Sequence, residues 1–342
     1  MRIALDAMGT DRHPDIEVQG AVQALRELPG EFEVVLVGDR ERIAACLEGV
    51  TDYPRDRLSV VHATQRIEQG DPPAAAVRRK LDSSIAVGLR LQREGQAAAF
   101  VSAGSTGAVM AASLFTLNPL PGVARPPVAT ILPTASDPVV LLDSGANVDC
   151  KPVHLLQFAQ LGSIYARAVL CRPEPRVGLL NIGEEPEKGD ELAVAAHNLL
   201  AASSLRFVGN IEGRDILTGC ADVVVTDGFV GNVLLKFYES ASDIITGLFR
   251  RELDRAGIKL DLKEVLRPLD YAEYGGAPLL GVDGISIICH GGSPPRAIRN
   301  AIQLAVRSVQ SDVVGQMKRE LLASQNGNRG EVVGVERLAE GA

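Results

Sequence analysis

The stretch Val139-Val140-Leu141-Leu142-Asp143-Ser144-Gly145-Ala146-Asn147, followed by a helical run from His154 to Leu170, decides the fold class. Four aliphatic residues in a row suit a short strand buried on both faces, and the polar, glycine-containing segment behind them ends it in a loop. A helix after that loop makes half of a parallel crossover, since parallel neighbours need a long connection. The same order recurs on either side. Strands are expected at Ile3 to Ala7, Val34 to Val37, Leu58 to Val61, Ala97 to Ser102, Val128 to Leu132, Val177 to Asn181, Phe207 to Asn210, Ala221 to Thr226 and Ile285 to Cys289. Strong helices are expected at Gly107 to Phe115, Asp190 to Ala202, Gly231 to Phe249 and Arg296 to Leu322. The fold class is α/β.

The 342 residues suit two average domains, yet α/β chains of this length often build one sheet. No linker or composition break divides the chain before residue 325. Residues 1–325 are therefore read as a single domain and 326–342 as a mobile tail behind the turn-rich Gln325 to Gly330. A hydrophobic content of 46% provides a large core and excludes wholesale disorder. The formal charge of −8 removes the general attraction to nucleic acid. Five cysteines, never closer than 21 residues, form neither a Cys-x-x-Cys motif nor a disulfide framework, which suits a reducing cytosol. Asp6 stands where a signal peptide needs its apolar region, and no run approaches a membrane span. A soluble chain is expected.

One segment stands apart. Phe237, Ala241, Ile244, Ile245 and Leu248 fall on one helical face, Gly257 stops the helix, and Leu260 to Leu269 starts another, so a helical hairpin is expected over about 236–276. Its seven bases and eight acids nearly cancel, so any membrane contact would rest on the apolar face and not on charge. A core or dimer-interface face is the alternative.

The chemistry collects after the strands: Ser102 to Gly107, Asp143 to Asn147, Asn181 to Glu185, Gly209 to Asp215, Thr226 to Asn232 and His290 to Ser293. In open α/β sheets ligands bind outside the carboxyl ends of the strands, so these loops converge if the strands are parallel neighbours. Gly104-Ser105-Thr106-Gly107 is the best anion cradle, because small residues let backbone N–H groups approach an oxygen at a helix N-terminus. The chain holds no Gly-Lys and no Gly-x-Gly, so the triphosphate and dinucleotide fingerprints are absent. No Gly-x-Ser-x-Gly elbow occurs, and the five histidines are too scattered for a zinc signature, so neither metal nor cofactor is expected. Cys150 is either an acyl-accepting thiolate beside Lys151 or a packed small hydrophobe. His290 is either a general acid or a ring hydrogen-bonded to its own glycine loop. Arg214 and Lys188 are candidates for oxyanions, although Lys188 has Glu184, Glu185 and Glu187 as local partners.

Taken in order, these loops resemble the PlsX family, the acyl-carrier-protein:phosphate acyltransferases of bacterial phospholipid synthesis. The resemblance runs through Ala4-Leu5-Asp6-Ala7-Met8-Gly9, Arg79-Lys80 with Ser83-Ser84, Ser102 to Gly107, Gly145 to Pro152, Leu179 to Glu185, Gly209 to Asp215, Asp227 to Asn232, Leu280-Gly281 with Gly284, and His290-Gly291. Thr10 and Ser105 depart from it, where the family usually has glycine and asparagine. The resemblance implies reversible transfer of a long acyl group from acyl carrier protein to inorganic phosphate, with no cofactor. It implies a homodimeric α/β/α sandwich like that of isopropylmalate dehydrogenase and phosphotransacetylase. It also implies peripheral attachment to the inner face of the cell membrane, here through Ile244, Ile245, Leu248 and Phe249, and delivery of product to a membrane glycerol-3-phosphate acyltransferase.

Phosphate is already a nucleophile, so the site needs mainly to align two anionic reactants and stabilise a tetrahedral oxyanion. The expected roles follow: Gly104, Ser105, Thr106 and Gly107 cradle an oxyanion, and Arg214 and Asn232 orient phosphate. Asp227 takes a proton or positions Arg214, and His290 protonates the leaving thiol. Asn147, Lys151, Lys188 and Asn210 complete the expected substrate contacts. The rival readings are a short-chain phosphotransacetylase using acyl-coenzyme A and a non-catalytic membrane scaffold that binds acyl carrier protein.

Overall fold

The computed structural model describes residues 1–134, 137–258 and 273–323. Two sheets organise it. The first has strands β1 (Arg2–Asp6), β2 (Glu33–Gly38), β3 (Leu58–His62), β4 (Ala99–Ser102), β10 (Ala277–Leu279) and β11 (Ser286–Ile288), in the order β10-β11-β4-β1-β2-β3. The second has β5 (Thr130–Leu132), β6 (Val139–Leu142), β7 (Val177–Leu180), β8 (Phe207–Ile211) and β9 (Val223–Val225), in the order β5-β6-β9-β7-β8. All neighbours are parallel except β10 against β11 and β5 against β6. Those two antiparallel edge strands face each other, and the Val128–Leu279 bridge links the sheets there.

The helices are α1 (Asp15–Glu27), α2 (Arg40–Glu48), α3 (Pro73–Arg79), α4 (Ser84–Arg93), α5 (Thr106–Leu117), α6 (Pro152–Val169), α7 (Glu191–Ala201), α8 (Gly228–Ala256) and α9 (Pro295–Gln310). A single apolar core draws Ile3 and Leu5 of β1, Phe158 and Tyr165 of α6, Val223 of β9 and Ile298 of α9 together, so one layer of helices covers one face of both sheets. On the opposite face α3, α4 and α5 pack on the first sheet, and Leu234, Leu235 and Tyr238 of α8 pack on the second. This is an α/β/α sandwich. The inner strands are almost wholly apolar because both faces are buried.

The expected helix from Arg296 to Leu322 is interrupted. α9 ends at Gln310, Asp312 adopts φ 49°, and helical backbone resumes over 313–323. Aspartate tolerates that left-handed conformation better than most residues. α8 begins earlier and ends later than its apolar stripe predicts. Asp227 caps its start by accepting from the Phe229 and Val230 amides, and Gly257, at φ 68°, stops it. Ile244, Ile245, Leu248 and Phe249 are exposed on α8 and are not core residues of this chain. The expected second arm of the hairpin and the expected tail over 326–342 lie outside the described residues.

Candidate active site

Where the sheets meet, β5, the start of β10, the exits of β6 and β11, Thr106 at the start of α5 and the Asn232 to Glu239 stretch of α8 line a cavity of about 190 Å³. Its polar lining carries Thr106, Ser144, Asn232, Lys236, Glu239, His290 and Ser293, and Ile131, Leu132, Pro133, Leu235 and Tyr238 form an apolar wall. The Tyr238 hydroxyl is buried without a hydrogen-bond partner among the described residues, and burial pushes its pKa up to about 12.

Two glycine loops border this cavity, each anchored by a buried aspartate. After β6, Asp143 accepts from the backbone N–H groups of Val128, Gly145, Ala146 and Asn147 at 2.6–3.2 Å, and from Asn147 Nδ2 at 2.9 Å. Burial raises the Asp143 pKa, opposed by those hydrogen bonds. Asn147 also donates to the Pro126 carbonyl, so this expected substrate contact spends its amide nitrogen inside the loop. After β4, the anchor acts at one remove. The Ser102 hydroxyl donates to Asp6 at 2.6 Å and accepts the Gly104 N–H at 3.0 Å. Burial also raises the Asp6 pKa. A Cβ on Gly9 would lie 2.6 Å from the Gly104 nitrogen, so the β1 and β4 exits can stack this closely only with glycine there. The Gly104 amide therefore turns inward, but α5 starts without a side-chain cap. The amides of Ser105, Thr106, Gly107 and Ala108 make no hydrogen bond among the described residues. These four donors stand at the positive end of a helix.

The remaining expected residues divide. Asn232 and His290 line the cavity with Thr106. The His290 ring accepts the Gly292 N–H at Nδ1, 3.0 Å away, which puts its proton on Nε2. That is the glycine-loop hydrogen bond raised by the sequence. The Asp227 carboxylate is the cap of α8. Arg214 lies outside the cavity lining, largely exposed, with Glu212 at 3.1 Å and Asp215 at 3.9 Å. Asn210 bridges the Glu185 carbonyl and His197. Lys151 sits at the start of α6, its N–H donating to His154. Lys188 is exposed and forms no ion pair among the described residues. Burial, followed by the charge of Asp143, pushes the Cys150 thiol up to about 11, which opposes thiolate formation. Ser144 and Ser293 belong to loops the sequence located without naming these residues as contacts, and Lys236 lies outside every loop it singled out. For Lys236 a signal existed: it follows Asn232 by four residues, one helical turn. No group of three or more His, Cys, Asp or Glu side chains suited to a metal ion occurs among the described residues.

The fold is an α/β/α sandwich whose cleft sets the uncapped start of α5 beside an apolar wall. Solved structures share the fold. A phosphotransacetylase from Streptococcus pyogenes matches with a TM-score of 0.63 at 17% identity, covering 92% of this chain and 94% of that one. A branched-chain phosphotransacylase from Enterococcus faecalis V583 matches at 0.57 and 15%, covering 90% and 99%. At such identities the likeness is one of architecture. Sequence relatives go further. Proteins named phosphate acyltransferase from Desulforamulus reducens and Salinibacter ruber are 49% and 46% identical, over 94% and 95% of this chain and 97% and 98% of theirs. The family described as "Fatty acid synthesis protein" matches residues 1–316. The chain belongs to that family and is an enzyme of the acyltransferase class.

Proposed function

We propose that the chain transfers a long-chain acyl group from the thioester of acyl carrier protein to inorganic phosphate, reversibly, giving an acyl phosphate for phospholipid synthesis. The observation that supports this reading is a single cavity that joins Thr106, at the uncapped start of α5, to an apolar wall. A phosphate oxygen attacks the thioester carbonyl, the carbonyl becomes a tetrahedral oxyanion, and the thiolate leaves. The free amides at the start of α5, with the Thr106 hydroxyl, meet the negative charge that grows on the carbonyl oxygen. Asn232 donates to phosphate, and His290 Nε2–H donates to the departing sulfur. No covalent enzyme intermediate is needed.

The donor's acidic carrier protein meets exposed Arg79, Arg250 and Arg251, whereas Lys80 is paired with Asp71 and Arg255 with Glu252. The exposed stripe of Ile244, Ile245, Leu248 and Phe249 serves a membrane surface, to which the apolar product passes for a glycerol-3-phosphate acyltransferase, and the enzyme works as a homodimer. No helix among the described residues is long and apolar enough to cross a membrane. The test incubates the purified chain with labelled phosphate and either palmitoyl carrier protein or acetyl-coenzyme A, trapping acyl phosphate with hydroxylamine. Product from the carrier-protein thioester supports the reading. Product from acetyl-coenzyme A alone would make the chain a short-chain phosphotransacetylase, and no product from either would leave a scaffold.

A further inference from the structure

A phosphate dianion entering a cavity with an apolar wall loses water on one side, and helix amides supply only partial charge in return. A full positive charge is needed nearby to hold it there. Of the cations singled out by the sequence, Arg214 lies outside the lining with two carboxylates beside it, and Lys151 and Lys188 line none of the cavity. Among the described lining residues, Lys236 alone carries a permanent positive charge. It stands one turn after Asn232 on α8, so both side chains leave the same helical face. Asn232 is held against the β6 exit, where a Cβ on Gly145 would meet it at 3.4 Å. Glu239 is the acid on this lining, and it forms no ion pair with Lys236. The Gly292 N–H occupies Nδ1 of His290.

We propose that Lys236 is the residue that binds inorganic phosphate, with Asn232 beside it and the free amides of α5 across the cavity. This deepens the phosphate acyltransferase reading and rests on it for the identity of the anion. An ammonium on a flexible stem, with three rotatable donors, suits an oxyanion that changes from nucleophile to acyl phosphate during turnover.

The experiment titrates inorganic phosphate alone into the purified full chain by calorimetry, then measures steady-state kinetics with palmitoyl carrier protein. Lys236→Ala should weaken phosphate binding by about tenfold or more, the scale of a charge-assisted contact. Lys236→Arg should stay much closer to wild type than Lys236→Ala. In the kinetic arm the phosphate KM should rise while the KM for the acyl donor holds. Lys236 is exposed, and Lys236→Gln with an unchanged urea midpoint provides a folded neutral comparison. Phosphate affinity of Lys236→Ala and Lys236→Gln equal to wild type overturns the proposal, even if the wild type forms acyl phosphate. Conversely, phosphate binding that depends on Lys236 in a wild-type protein that forms no acyl phosphate sustains the site and overturns the broader reading.

Discussion

The loops after β4 and β6 read alike in sequence, each glycine-rich and each leading to a helix, yet they use their amides in opposite ways. Asp143 gathers the Gly145, Ala146 and Asn147 amides onto its own carboxylate. Asp6 reaches its loop only through Ser102, which takes the Gly104 amide and leaves those of Ser105 to Ala108 open. One loop is closed by an internal anion, and the other leaves four amides unpaired among the described residues.

The comparison breaks most visibly at Asp143. Asp143→Ala strands four backbone donors and the Asn147 amide. At about 1–3 kcal/mol per unsatisfied buried donor, the loss should exceed about 3 kcal/mol or prevent folding. Urea denaturation measures it, and a loss below about 1 kcal/mol would mean that the closed loop does not depend on its carboxylate.

On the open side, the β1 exit that stacks against Gly104 is braced by Glu17, which accepts the Thr10 amide at 2.6 Å from full burial. Desolvation raises the Glu17 pKa from 4.5 to about 7, so the native chain holds a proton that the unfolded chain has released in that interval. Its contribution to stability is therefore full below pH 4.5 and declines as pH rises to about 7, by an amount of order 3 kcal/mol. Glu17→Gln should flatten this decline and be the more stable form at pH 8. Parallel stability curves for the two proteins from pH 5 to 8 would show that Glu17 is ionised throughout.

A smaller effect is expected at Ser102. Ser102→Ala removes the acceptor of the Gly104 amide and one donor to the buried Asp6 carboxylate, and should cost about 2 kcal/mol. Activity should fall further than stability suggests, since the freed amide no longer fixes the direction of the loop. Full activity with reduced stability would detach this relay from the site.

The inner strands were legible because runs such as Val139 to Leu142 are apolar throughout, which suits burial on both faces. β10 escaped notice because Ala277-Pro278-Leu279 is short and contains a proline, and its antiparallel pairing at the sheet edge leaves no run to detect. Within the site, the sequence located the loops but not the use of their polar atoms. Asp227 has the composition of a catalytic acid or base, and in the fold its Oδ1 caps a helix. Arg214 sits in a polar motif, yet it faces Glu212 and Asp215. Lys236 falls among the residues of an apolar helix and joins the site only because α8 turns that face toward the cavity. Such choices depend on where an atom points after folding, which residue type alone does not encode.

The difference between the loops is tested most directly by amide NMR of the isotope-labelled chain during titration with inorganic phosphate. The amides of Ser105, Thr106, Gly107 and Ala108 should shift with saturation, while those of Gly145, Ala146 and Asn147 stay in place. Shifts confined to residues 145–147, or saturating phosphate binding that moves neither group, would contradict the assignment of the open loop as the anion site.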